Sequence, residues 1–152
     1  MKYIANIMYR NSWDFYEAYY RCKLPLKCQS SDYGKVLFIA AMANISFACE
    51  MYLKTFYYIE NKEKFISKSR EGHTLSYLFG LLSTQLKNDI IKDMQYNEKY
   101  FYKELDKYSN AFKEWRYYHE WSPKSHTIDF NFLEDFSSTL NSLCERKIIS
   151  LN

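Results

Sequence analysis

Apolar residues recur along this chain every three or four positions, and no stretch alternates convincingly in twos. A period of 3.6 marks a helix with one face in a core, whereas a period of two marks a strand. The chain therefore reads as all-α, an up-and-down bundle of four to five main helices joined by short connections. A first helix is expected from about Ser12 to Cys22, capped by Asn11 or Ser12, with Trp13, Tyr16 and Tyr20 sharing a face. Pro25 ends that segment, and residues 24–27 read as a connection.

The second helix, about Tyr33 to Ile59, is the longest apolar run. Leu37, Ala41, Ala48 and Tyr52 form one stripe and Ala40, Ala43, Phe47 and Met51 a neighbouring one. Two adjacent stripes predict burial over more than half the girth. Small side chains along it would let another helix approach closely. Glu50 stands within this apolar stretch, four residues before Lys54, so the two suit an i,i+4 ion pair. Residues 61–64 read as a solvated turn. A third helix is expected to begin near Gly72–Leu75, carry Leu75, Leu78, Leu82 and Leu86, and fray near Asn88–Asp89 before a short segment with Ile90, Ile91 and Met94. A fourth is expected from about Asn97 to Trp121, with Phe101, Leu105, Tyr108, Phe112, Trp115 and His119 as one inward stripe, stopped by Ser122–Pro123. The last begins near Asp129 or Asn131, where Asn131 and Glu134 resemble a capping box, and buries Leu133, Phe136, Leu140 and Leu143.

Composition adjusts this picture little. A chain of 152 residues suits one domain, taken as 1–152 with a bundle core at about 33–147. Three Gly and two Pro leave few helix breakers. The 16 Tyr and 11 Phe are unusual; the bland reading for most of them is an AT-rich genome, and stacking on bases would explain only a few. A net charge of +3 is too small to announce a nucleic-acid binder. The four Cys (Cys22, Cys28, Cys49, Cys144) lack the tight spacing of a zinc site, so no metal and no cofactor is expected. Met1–Arg10 lacks the apolar core of a secretory signal, and no run approaches the ~20 apolar residues of a membrane span. A cytoplasmic protein with reduced thiols is the expectation.

No phosphate loop, HExxH or GxSxG motif is present. What remains is a set of four blocks in order. They are Ala41-Met-Ala-Asn-Ile-Ser-Phe-Ala-Cys-Glu50-Met-Tyr-Leu-Lys54, Gly72-His73-Thr74-Leu75-Ser-Tyr-Leu78-Phe79, Ala111-Phe112-Lys-Glu-Trp115-Arg116-Tyr117-Tyr118-His119-Glu120, and Ile128-Asp129-Phe-Asn-Phe132-Leu133. Together these resemble the HEPN superfamily, the higher eukaryote and prokaryote nucleotide-binding domains, across about Tyr33 to Leu143. The resemblance implies a four- or five-helix bundle that dimerises, and a role around RNA or nucleotides in bacterial toxin–antitoxin or antiphage systems. An antitoxin or nucleotidyltransferase is the kind of partner it implies. Active members are metal-independent ribonucleases with an R-x4-6-H motif near the end of a late helix.

In this chain Arg116 is followed by His119 after two intervening residues and by His126 after nine, so neither gap matches. Arg116 and His119 are the candidate catalytic pair, and Glu50, His73, Tyr117 and Glu120 the candidate binding residues. The chemistry would suit RNA: an imidazole moves a proton near neutral pH, and a guanidinium grips two phosphate oxygens and stays charged. The bland readings are that Arg116 pairs with Glu50 or Glu120, that His119 is a bonded core histidine, that His73 orients a turn, and that His126 is solvated. The off-spaced motif favours a non-catalytic or accessory binding module. An active metal-independent endoribonuclease and a purely structural interaction domain are the alternatives.

Overall fold

The computed structural model describes residues 1–23, 31–67, 70–117 and 131–151, for 31–37 and 70 the backbone only. All the regular structure among them is helical. In chain order it comprises α1 (Lys2–Lys23), α2 (Ser31–Asn61), a 3-10 turn (Arg70–His73), α3 (Leu75–Gly80), α4 (Thr84–Met94), α5 (Glu98–Lys107), α6 (Ala111–Arg116) and α7 (Asn131–Ile149). None of these helices is long and apolar enough to cross a membrane.

Helix α2 is the axis of the bundle and packs on α1, α3, α6 and α7. Its two apolar stripes explain this: Ala41, Ala48 and Tyr52 are buried, and Ala43, Phe47 and Met51 are half-buried on the adjoining face. Helix α1 runs antiparallel to α2, because Tyr9 meets Tyr52 while Phe15, further along, meets Phe47. It is antiparallel to α7 as well. Lys2 at its start donates to the carbonyl of Leu151 (2.6 Å), and Lys23 at its end pairs with Glu134 at the start of α7. The residues 61–64 form the expected solvated turn, with Lys62 in the left-handed region at φ 62°.

Helix α1 begins ten residues before its expected start at Ser12. Ser12 is fully buried, and its hydroxyl donates to the carbonyl of Met8 (2.8 Å) inside the helix instead of capping it. Such back-bonding lets a short polar side chain sit within a helix. The buried stripe is accordingly Ala5, Ser12 and Tyr19, while Trp13 and Tyr20 are 42% and 41% exposed. Because Ala5 and Tyr19 join the same core, the packed bundle reaches outside 33–147 to include α1.

The two long amphipathic stretches in the middle of the chain are each divided. Leu75, Leu78, Leu82 and Leu86 are all buried, but Ser83 separates α3 from α4. The Ser83 hydroxyl accepts from the Leu86 amide (3.2 Å), and its own N–H donates to Glu60 (2.9 Å), so α4 is capped where α2 ends. No fraying occurs at Asn88–Asp89, where α4 continues to Met94. The expected fourth helix is broken at 108–110. There Ser109 turns its carbonyl to the Leu75 amide (3.0 Å) and its hydroxyl to the Ser76 amide (3.2 Å). The corner between α5 and α6 thereby satisfies donors at the start of α3, which a continuous helix would leave orphaned. Asn97 caps α5 through its side-chain oxygen. On the far side, α7 buries Leu133, Phe136, Leu140 and Leu143 as its spacing predicted. Its Phe132 and Phe136 pack with Phe101 at ring distances of 5.8 Å each.

Candidate functional site

The 3-10 turn brings His73 against α2. Gly72 is required there, since a Cβ would stand 2.1 Å from Ser67 Oγ and 2.6 Å from Ser67 Cβ. The close approach seats the turn so that His73 Nδ1 lies 2.8 Å from Glu50 Oε1. Lys54, one turn along α2, donates to the same oxygen at 2.6 Å. The Glu50 side chain is 0% exposed, whereas Lys54 is 16% and His73 58% exposed. Burying a carboxylate costs several kcal/mol, which only close charged or hydrogen-bonded partners offset. Glu50 takes both partners on Oε1, and Oε2 has none among the described residues. Lys54 also lies 5.8 Å from the centre of the Phe65 ring, so the segment after α2 covers it.

His73 forms one wall of a cleft of about 670 Å³. Helix α6 lines the same cleft with Phe112, Lys113 and Arg116, followed by Tyr117. Glu71, Thr74 and Asn110 complete it. Lys113 and Arg116 stand three apart and so share a helix face. Both are exposed, and the Arg116 guanidinium carbon is 5.1 Å from the Tyr117 ring centre, within cation–π range. Behind the cleft Phe112 stacks on Phe47 at 4.5 Å, and Trp115 meets Phe38 at 5.5 Å, which anchors α6 to α2. The short helix thus places its aromatic side inward and its two cations outward.

Of the residues singled out in the sequence, Arg116, Tyr117 and His73 line one cleft, and Glu50 stands behind His73. Arg116 does not pair with Glu50, whose Oε1 takes Lys54 and His73 and whose Oε2 has no partner among the described residues. His119, Glu120 and His126 lie outside the described residues, as do Tyr118 and Ser122–Pro123. The described helix ends at Arg116, and Tyr117 has left helical geometry at φ −111°, ψ 25°. Sequence reasoning missed Lys113 and Glu71. The first could have been found from its position three before Arg116, the second from its place beside Gly72.

Among the described residues no three His, Cys, Asp or Glu side chains are grouped as metal ligands. Cys22, Cys49 and Cys144 are free thiols, and Cys28 lies outside the described residues. No family model, curated protein or solved structure matches this chain.

Proposed function

We propose that this chain is a HEPN-like helical domain that binds the phosphate groups of RNA or a nucleotide, as a non-catalytic or accessory module in bacterial defence or a toxin–antitoxin pair. The observation that carries this reading is the convergence of Lys113 and Arg116 with His73, about 40 residues away in the chain, on one cleft with an aromatic floor. Exposed cations on a helix suit phosphate oxygens, Arg most of all through its planar fork. Tyr117 offers a face on which a base can stack, a contact worth ~1–3 kcal/mol per base. A homodimer, and an antitoxin or nucleotidyltransferase as partner, belong to the same proposal through the family resemblance.

The test is fluorescence anisotropy of a labelled single-stranded RNA in EDTA, across a salt series. The Lys113→Ala/Arg116→Ala double variant is expected to bind at least ~10-fold more weakly. Its salt slope should be shallower by about 1.4, from ~0.7 per lost phosphate contact on a single strand. Equal binding by both proteins sinks the reading. Cleavage of the RNA in EDTA, abolished by Arg116→Ala, would instead make the domain a metal-independent ribonuclease.

A further inference from the structure

We propose that Glu50 is a positioning residue that holds His73 in its Nδ1–H form, making Nε2 a lone-pair acceptor on the cleft wall for a ligand hydroxyl beside a phosphate. This rests on the phosphate-binding reading for its ligand and on the Glu50 geometry alone for the imidazole.

Glu50 Oε1 accepts from the Lys54 ammonium at 2.6 Å, and an ammonium can only donate. The same oxygen is 2.8 Å from His73 Nδ1, so the imidazole must supply the proton of that second contact. A neutral imidazole carries one N–H, and once it is on Nδ1 the other nitrogen is an acceptor. Nδ1 faces the core, the ring is 58% exposed, and His73 lines the cleft, so Nε2 on the far edge of the ring faces the ligand space. Lys113 and Arg116 in the same cleft are donors only. They take phosphate oxygens and cannot receive a hydroxyl proton. His73 supplies an acceptor whose form Glu50 sets, beside the oxygens of Glu71, Thr74 and Asn110 on the same lining, and the cleft fits a phosphate ester with a neighbouring hydroxyl, such as a ribose 2′-OH.

The side-chain nitrogens of His73 in the full chain can be read by ¹⁵N NMR at pH about 8, above the ordinary imidazole titration. The expected spectrum has a protonated-type Nδ1 and a lone-pair-type Nε2. In Glu50→Leu the ring should relax to a mixture rich in the Nε2–H form, while Glu50→Gln, whose amide oxygen can still accept, should restore Nδ1–H. A Nε2–H form in the unsubstituted protein overturns the proposal, with no variant needed. The ligand half is read by comparing a short oligoribonucleotide with its 2′-deoxy counterpart. The ribo strand should bind about fivefold more tightly, the factor that one net hydrogen bond supplies. That preference should vanish in Glu50→Leu and return in Glu50→Gln. Equal binding of the two strands by the unsubstituted protein overturns the hydroxyl assignment but leaves the phosphate reading standing. Binding of neither strand removes both.

Discussion

Cys49 and Glu50 are neighbours on α2, and both are fully buried, yet they face different kinds of interior. On the Cys49 side, α2 packs with α1 and α7 around hydroxyls and thiols kept neutral. Burial pushes the Cys49 and Cys144 thiols well up, and it raises Tyr52 and Tyr9 as well. Tyr16 is pushed up to about 12, first by burial and then by its 3.1 Å contact with the Tyr20 hydroxyl. On the Glu50 side, α2 meets the 3-10 turn, and the buried carboxyl pairs with Lys54 and His73. Burial poses the same desolvation problem to both sides. One side solves it by staying uncharged, and the other by assembling partners, which is often no more stabilising than an apolar replacement would be.

The contrast can be broken from either side. Phe132→Ala removes a fully buried ring from the aromatic layer and should cost ~3–5 kcal/mol in urea unfolding, with no selective effect on the cleft. Lys54→Met strips Glu50 of its ammonium and should cost ~3 kcal/mol, at the low end for a broken buried pair because His73 still donates. Adding Glu50→Leu to that variant should recover most of the loss. A double variant no more stable than Lys54→Met would mean that the ion pair is not the origin of the cost.

Alkaline titration sharpens the comparison. The thiols and phenols are raised in the fold, so their contribution is complete below the unfolded values and is lost as pH climbs through the folded ones. Melting temperature should therefore hold to pH about 9, where unfolded thiols ionise, then fall, with the Tyr16 part spread between the ordinary 10.0 and about 12. Cys49→Ala/Cys144→Ala should delay the onset toward pH 10, where phenols begin. A melting temperature flat to pH 11 contradicts a dry interior on this side. The smallest effect belongs to Tyr19→Phe. The Tyr19 hydroxyl is buried without a partner among the described residues, so its removal should be neutral or stabilising by up to ~1 kcal/mol.

The all-α class and most core positions were legible because helical periodicity is a direct imprint of burial. Leu75, Leu78, Leu82 and Leu86 were placed inward correctly, although the helix carrying them is broken at Ser83. Breaks of that kind depend on tertiary partners, Glu60 for Ser83 and the start of α3 for Ser109, which local sequence does not encode. Ser12 misled for a related reason, since a serine that could cap a helix can also hide inside one. At the site, the Glu50–Lys54 spacing was readable along one helix. Its link to His73 was not, because the two lie 23 positions apart and the close seating of Gly72 brings them together.

The corner at Ser109 makes chain length, more than side-chain identity, the quantity on which the cleft depends. Each residue advances a helix by about 100°. A single insertion between Ser109 and Lys113 would rotate both cations out of register with His73 without changing any side chain that lines the cleft. The same rotation would turn Trp115 away from Phe38, so an indel in that interval should lower the melting temperature as well as disarrange the cleft.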